Sequence, residues 1–502
     1  MPSHHNVLKA RRLHIDTYQE PVVYMRSDCH ICRSEGFEAQ SRLAISCAGA
    51  EVIATLNVVS NSILGVGELG LSESAWRKLG VADGTELGIS HARPLDSFSA
   101  VRGKIYGRRF GQQDIDAIIH DVVTGLYSDI ELAAFITACA GQRLDLQEMI
   151  ALTQSMVAVG GRIDWGKTPI LDKHCVGGLP GNRTTMLVVP IVAACGLTIP
   201  KTSSRAITSP AGTADAMETV APVELDLATM RRVVEKEGGC IAWGGAVNLS
   251  PADDILIRVE RPLDLDSEGQ LVASVLSKKI AAGSTDVLLD IPVGATAKVR
   301  SIEAAAGLSA ALHAVGAAMG LRIRTLVTDG TQPVGRGIGP ALEALDVLAV
   351  LRGAADAPAD LRSRALMLAG GVLEMGNAAG LGEGEALAED ILNSGRAWAK
   401  FQAICEAQGG MREPALARYS ALIVAQGNGI VREVDNRRLA RLAKLAGAPK
   451  AASAGVRFHA PVGSRVEQGQ PLITVFAESP GELAYAMNYA DRQQQLIELE
   501  TP

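Results

Sequence analysis

The sequence predicts an α/β protein: a helical lobe and an α/β lobe, flanked by a β-rich N-terminal domain and a C-terminal module of mixed α/β, β-rich texture. Three observations carry this. Residues 1–95 run in short alternating stretches broken by Gly, Asn and Asp; from about Phe110 apolar residues recur at helical spacing; from Ile170 apolar runs alternate with glycine loops and helices. A chain of 502 residues has room for about three domains.

In chain order, RLAISCAGAEVIATLNVV and SAWRKLGVADGTELGIS read as short strands with tight turns, giving a β-rich domain over 1–95. A helical lobe follows over 100–165. Within it Asp145 and Glu148 form a capping box, Met149, Leu152 and Met156 share a face, and Gly160-Gly161 stops the helix. The lobe is completed by the helical stretch 248–283. Between and after these segments, 166–247 and 284–420 form the α/β lobe. TMLVVPIVAACG, STDVLLDIPVG and LRIRTLVTDG are its buried elements, and the Ala-rich helix 303–320 lies between two strands. The tail, 421–502, returns to β texture. GVRFHAPVGSRVEQGQPLITV is spaced like a biotinyl or lipoyl domain, but no lysine follows Lys450, so a structural module is expected.

Apolar content of 47% and charged content of 21% are those of a soluble globular protein. A net charge of −7 without a long basic run argues against a nucleic-acid polymer as partner. The most apolar stretch, Met186 to Pro200, is broken by Pro190 and Gly196 and is too short for a bilayer, so no membrane partner is expected. The start, MPSHHNVLKARRLHID, lacks a signal peptide's apolar core, and the eight cysteines are scattered. A cytoplasmic location follows. Cys29-His-Ile-Cys32 supplies only half of a tetrahedral zinc site, and no metal is expected.

The chemistry concentrates in DKHCVGGLPGNRTT, Asp172 to Thr185. No Walker A spacing fits its glycines. Lys173 offers a compact charge, Gly177, Gly178 and Gly181 let backbone N–H groups converge, and Thr184 and Thr185 add hydroxyls near a helix start. An anion site is the better reading than a plain glycine turn. A second loop, KTSSRAITSPAGTAD, holds a lysine, an arginine and six hydroxyls. In DLDSEGQLVASVLSKKIAAG, Ser274 and Lys278 lie one turn apart on one helix face, with Asp264 and Asp266 ahead of that helix.

DKH-x-x-GG, PIVAACG-x-x-IPK and SSRAITSPAGTADAME, with GR-x-x-G-x-x-LE in TDGTQPVGRGIGPALEALDVL, resemble the thymidine phosphorylase family. The likeness is to its long, type 2 branch, which includes AMP phosphorylase, and it runs from about residue 110 to the C-terminus. It implies the two-lobed architecture with a central mixed sheet seen in nucleoside phosphorylases and phosphoribosyltransferases. The implied reaction is phosphorolysis of an N-glycosidic bond without a cofactor, inorganic phosphate being a co-substrate. The implied products are thymine and 2-deoxyribose 1-phosphate from thymidine, or base and ribose 1,5-bisphosphate from a nucleoside 5′-monophosphate. The expected partners are that small molecule, phosphate, and further copies of the chain in a homodimer or larger homo-oligomer.

Residue by residue, Lys173, Cys175, Thr185, Ser203 and Thr213 match phosphate-contact positions. His174, Arg205, Ser274 and Lys278 match positions that address the nucleoside. In the AMP-phosphorylase-like branch Asp266 corresponds to a proton donor to the base and Lys298 to a further ligand contact; Asp266, Arg205 and His174 are thus the expected catalytic residues. Gly178, Ser204, Arg205, Ala206, Ile207, Thr208, Ser209 and Thr213 fall on the matching nucleotide-binding loop. On the residues alone, Asp266 would equally serve as a helix cap.

Two positions depart from the family. Cys175 stands where many relatives have a serine, and beside His174 it raises the alternative of a reactive thiolate. Ser209 stands where the short thymidine enzymes have a histidine near the pyrimidine. Lys201, Arg183 and Lys298 are extra cations that could hold a 5′-phosphate or be surface charge, so thymidine and AMP both stay open as substrates. An anthranilate-type phosphoribosyltransferase would need a magnesium-holding acidic pair that these loops lack. A dead scaffold would be expected to lose the Lys173, Arg205 and Ser274 set, which is present.

Overall fold

The computed structural model describes residues 6–60, 62–206, 209–247, 249–263, 265, 267–493 and 496–500. The chain forms two compact units, Met1–Arg143 with Ile255–Leu265, and Leu144–Asp254 with Asp266–Pro502. The helices expected to form one lobe are thus divided between the two.

In the first unit β1 (Val7–Arg12), β2 (Val22–Arg26), β3 (Arg42–Cys47), β4 (Ala50–Val59), β5 (Glu68–Leu71) and β6 (Glu86–His91) close into a barrel in the order β1-β5-β2-β4-β3-β6. Closure pairs every edge, which is how so small a sheet avoids presenting a free ladder. Leu43, Ile45, Leu56 and Leu87 fill its interior. Two short helices decorate it, α1 (His30–Ser34) and α2 (Glu73–Leu79). The second corrects the reading of SAWRKLG as strand texture. Ser72 caps it by accepting from Ala75 N at 3.3 Å, and Gly80 ends it at φ 63°, so local capping outweighs a run too short to show a period. Cys32 faces the barrel core and its Sγ donates to Phe37 O at 3.1 Å. Among the described residues no three His, Cys, Asp or Glu side chains cluster to hold a metal.

Helices α3 (Phe98–Ile105), α4 (Gln112–Val123) and α5 (Asp129–Cys139) follow in this unit, so helix begins earlier than the periodicity near Phe110 suggested. Arg42 of β3 donates to Gly125 O at 2.6 Å in the α4–α5 turn.

The second unit opens with α6 (Leu146–Ala158), where the expected capping box is present: Asp145 accepts from Glu148 N at 3.1 Å and Glu148 from Asp145 N at 2.9 Å. Gly160, beyond its end, is needed for closeness, since a Cβ there would lie 2.3 Å from Leu249 O. Then follow β7 (Leu171–Cys175), α7 (Thr185–Ala194), β8 (Ile199–Ser203), α8 (Thr213–Glu218), α9 (Leu227–Glu237) and β9 (Gly239–Trp243). Next come α10 (Pro251–Leu263), within which the division between units falls, α11 (Glu268–Ala281), β10 (Asp286–Val293), α12 (Ile302–Ala318) and β11 (Arg322–Asp329).

Where a mixed sheet was expected, the described ladders here are parallel: β11-β10-β7 in one sheet and β8-β9 in another. Helices intervene between the paired strands, and such crossovers impose parallel pairing. The β10–α12–β11 unit is the strand–Ala-rich helix–strand read from the sequence. Helix α7 explains the apolar run within TMLVVPIVAA, because all its residues but the last are buried. Pro190 inside it costs about 3 kcal/mol, which buried neighbours at roughly 1.5–3 kcal/mol per large side chain offset.

The remaining elements are β12 (Gly337–Ile338), α13 (Pro340–Leu351), α14 (Ala359–Met375), α15 (Gly384–Asn393) and α16 (Arg396–Gln408). The C-terminal module comprises β13 (Tyr419–Val424), β14 (Gly429–Val434), α17 (Asn436–Leu445), β15 (Gly455–Phe458), β16 (Arg465–Val466), β17 (Pro471–Ala477), α18 (Pro480–Arg492) and β18 (Ile497–Glu500). Its sheet β12-β15-β17-β13 takes in β12, so module and α/β core share a ladder. No helix among the described residues is long and apolar enough to cross a membrane.

Candidate active site

Strands β7 and β8 lie side by side, with Leu171 N donating to Thr198 O at 2.9 Å. Each runs at its carboxyl end into a polar loop and then a helix, α7 or α8. Ligands of open α/β sheets bind beyond such strand ends, where loop amides and a helix N-terminus converge. The loop after β7 turns on glycines at φ 93° (Gly177), 80° (Gly178) and 83° (Gly181). Two also need to lack a side chain: a Cβ on Gly178 would lie 2.4 Å from Lys298 N, and one on Gly181 2.0 Å from Val334 O.

Lys173 is buried. Its Nζ donates to Thr184 Oγ1 at 2.7 Å and lies 3.9 Å from Asp290 Oδ2. Asp290, opposite Cys175 on β10, also accepts from Asn182 Nδ2 at 3.2 Å and Thr328 Oγ1 at 2.7 Å. Burial pushes the Lys173 pKa below the usual lysine range, with Asp290 pulling the other way. Sequence reasoning missed Asp290 and Asn182. The available signal was a lone carboxylate inside the apolar run VLLDIPV, which has to find partners if buried.

Asp172 is a buried hub, taking Lys201 Nζ at 3.0 Å and Lys279 Nζ at 2.7 Å. Burial opposes its charge, but the two ammonium groups prevail and hold it below the usual carboxylate range. Lys201, which the sequence left open as a 5′-phosphate ligand or surface charge, is buried rather than a surface charge and is paired with Asp172. Arg183 is likewise engaged: it pairs with buried Glu343 and donates to Gly181 O at 3.2 Å, Ala211 O at 3.2 Å and Thr213 Oγ1 at 2.9 Å. It therefore ties the two donor-rich loops together, and Glu343 is the glutamate of the GR-x-x-G-x-x-LE motif. Lys298 meets the site through its backbone, against Gly178.

His174 follows Lys173 on β7. Burial and the charges of Lys279, Lys201, Lys278 and Lys173 depress its pKa well below 6.5, so the imidazole is neutral at pH 7. Cys175 Sγ accepts from Asn182 Nδ2 at 3.2 Å, and burial, then Asp290, push its pKa up to about 12. The reactive-thiolate alternative loses its basis. At pH 8 about one thiol in ten thousand would be ionised, so Cys175 is expected to alkylate with iodoacetamide at least a hundredfold more slowly than a free cysteine peptide. Peptide mapping by mass spectrometry checks this, and labelling at the free-peptide rate would restore the reactive thiol.

Ser203, the last residue of β8, is buried, and its Oγ has no hydrogen-bond partner among the described residues. A buried hydroxyl left unpaired costs about 1–3 kcal/mol, which a bound acceptor would recover. Thr185 is buried at the first turn of α7. In the second loop Asp215 Oδ2 accepts from Ala206 N at 2.6 Å and Gly212 N at 2.8 Å, pinning both ends. Ser204 O accepts from Ala214 N at 3.4 Å, and Ser209 Oγ donates to Ala211 O at 2.9 Å. Ile207 and Thr208 lie outside the described residues, as do Asp264 and the expected proton donor Asp266.

Arg205 is held by neighbouring side chains through its two terminal nitrogens. Its guanidinium bonds Glu218 at 2.5 and 2.9 Å and Glu224 at 3.0 Å, lies 3.4 Å from Asp215, and stacks 4.8 Å over the Trp243 ring. The residue expected to address the nucleoside is thus held by three carboxylates and an aromatic ring. Ser274 and Lys278 meet as expected on α11: Lys278 Nζ donates to Ser274 Oγ at 3.0 Å and to Asp253 Oδ2 at 2.7 Å. Helix α11 is capped by Ser267, whose side chain accepts from Gln270 N at 3.4 Å, so the capping role that Asp266 could have played is filled.

Comparison with known proteins places this geometry. Residues 167–398 match the family model "Glycosyl transferase family, a/b domain", 99–160 its "helical bundle domain", and 430–496 the "Pyrimidine nucleoside phosphorylase C-terminal domain". A protein of Polaromonas sp. named "Putative thymidine phosphorylase" is 63% identical over 98% of this chain and 96% of its own length. One of Legionella pneumophila with the same name is 56% identical over 98% and 95%. Anthranilate phosphoribosyltransferase from Thermus thermophilus shares the fold, with a TM-score of 0.52 and 20% identity over 62% of this chain and 99% of that one.

Proposed function

This chain belongs to the thymidine phosphorylase family and is a pentosyltransferase of the nucleoside phosphorylase kind; on that premise we propose that it converts thymidine and phosphate to thymine and 2-deoxyribose 1-phosphate. The observation that carries the phosphate half is a buried Lys173 within β7 together with the unpartnered Ser203 hydroxyl at the end of adjoining β8, beside a left-handed glycine loop. Lys173, Thr185, Ser203, Thr213 and the loop amides are the proposed phosphate ligands, with Cys175 adding little because a thiol donates weakly. Ser274, Lys278 and neutral His174 are the proposed nucleoside contacts.

During C1–N cleavage positive charge grows on the sugar ring and negative charge on the base. Phosphate aligned behind C1 meets the first, and donors on the base meet the second. Lys278 is suited to the second task, since its ammonium is already oriented by Ser274 and Asp253.

Engagement of Lys201 with Asp172 and of Arg183 with Glu343 favours the nucleoside over a 5′-monophosphate, because both cations are already paired within the protein. The second reading, AMP phosphorolysis, keeps its support in Lys298 at the Gly178 edge of the site. Phosphate-dependent base release from thymidine, AMP and CMP decides between them. Thymidine is expected to turn over at least about tenfold faster in kcat/KM, a modest discrimination of about 1.4 kcal/mol. AMP in the lead would transfer the assignment to the monophosphate reaction. A homo-oligomeric cytoplasmic enzyme is the proposed setting.

A further inference from the structure

The glycine loop is walled on two sides by backbone, and neither wall stands alone. The Gly178 wall is Lys298, in the turn 294–299 that follows β10 and closes on itself through Gly294 N to Val299 O at 3.1 Å. The Gly181 wall is Val334, whose N donates back to Pro180 O at 3.2 Å. Both walls are bonded from behind by the C-terminal module. Asn436, buried at the first position of α17, sends its backbone N to Thr296 Oγ1 at 3.2 Å. Its side-chain Nδ2 reaches Thr296 Oγ1 at 3.1 Å and Gly330 O at 3.0 Å. Val462 N donates to Gln332 Oε1 at 2.7 Å, and Phe458 N to Arg336 O at 2.7 Å.

We infer that the C-terminal module holds the back wall of the glycine loop, and that Asn436 is the positioning residue through which it fixes the Lys298 turn and, through that turn, Gly178. The physical reason is contact distance. Gly178 already sits where a single added carbon would collide with Lys298 N, so the loop can hold its left-handed turn only while that turn stays put. A shift of about 1 Å in such a loop is enough to spoil alignment of a reacting group. The module is thereby more than a packing or assembly element, although it supplies no group to the chemistry.

The test uses the full chain, with Asn436→Ala and Thr296→Val singly and together, and Thr296→Ser as the variant that keeps the hydroxyl. Hydrogen exchange is the first readout. Amides in 176–182 and 294–299 are expected to exchange about tenfold faster in both single variants, the scale of one lost buried hydrogen bond, while the β1–β6 barrel is unchanged and Thr296→Ser matches wild type. Kinetics is the second readout and rests on the phosphorolysis proposed above. KM for phosphate, whose proposed ligands include the loop amides, should rise about tenfold and kcat should fall with the lost alignment, while the double variant should be no worse than either single one. Unchanged exchange in 176–182 in both single variants overturns the inference, whatever the kinetics. Should wild type show no phosphorolysis, that reading fails and the exchange arm decides this one alone. Should Asn436→Ala not fold, Thr296→Val decides.

Discussion

Lys173→Ala is expected to raise the phosphate concentration needed for half-maximal phosphorolysis by roughly thirtyfold to several thousandfold, the effect of about 2–5 kcal/mol that follows truncation of one partner in a desolvated, hydrogen-bonded charge pair. The nucleoside requirement should change far less, because only the phosphate dianion gains from that charge. The site explains the asymmetry. Lys173 has Asp290 3.9 Å away as its counter-charge and Thr184 at 2.7 Å as its acceptor, so one ammonium carries both the loop's architecture and the attraction for an anion. Removing it leaves the Asp290 carboxylate buried with the neutral groups of Asn182, Thr328 and Cys175. Some loss of stability is therefore expected as well, and a melting curve must accompany the two KM values. A variant that is folded and has unchanged phosphate dependence would remove Lys173 from the site.

Much of the fold was legible in the sequence where local rules and tertiary context agree. The Asp145–Glu148 box, the β10–α12–β11 unit and the Ser274–Lys278 turn need only neighbours within a few residues. Gly177, Gly178 and Gly181 read as positions where a Cβ would obstruct the backbone, and all three take positive φ. What could not be read was which charges already have partners. Lys201 and Asp172, Arg183 and Glu343, and Arg205 with Glu218 and Glu224 are matched across the fold or across a loop, and nothing in a string of residues distinguishes a lysine waiting for phosphate from one neutralising an aspartate. The same holds for Asn436, an ordinary helix-start residue in sequence and a buried tie in the structure.

Asp172 is shared by Lys201 and Lys279, and Asp290 stands against Lys173, so three lysines and two aspartates are buried around β7. Burial pushes Lys279 down to about 7 against the pull of Asp172, and burial followed by the neighbouring lysines depresses His174.

The proton donor is the remaining decision, and Asp266→Asn separates the substrates. A purine leaves readily only with a ring nitrogen protonated, whereas thymine can leave as an anion met by Lys278. Removing a general acid costs about a hundredfold to ten-thousandfold in rate, so Asp266→Asn should nearly abolish any AMP phosphorolysis while lowering thymidine phosphorolysis much less. To donate at neutral pH the carboxyl must hold its proton above the ordinary range, which desolvation or a neighbouring phosphate dianion would bring about. The competing structural role is narrower than the sequence allowed, since Ser267 caps α11 and accepts from Gln270 N. Rates for both substrates across pH 5–9 are the measurement. A true acid removes the alkaline limb of the AMP profile in the variant, because that limb reports the acid losing its proton. Equal, small losses on both substrates with unaltered pH profiles would take the proton-donor role away from Asp266.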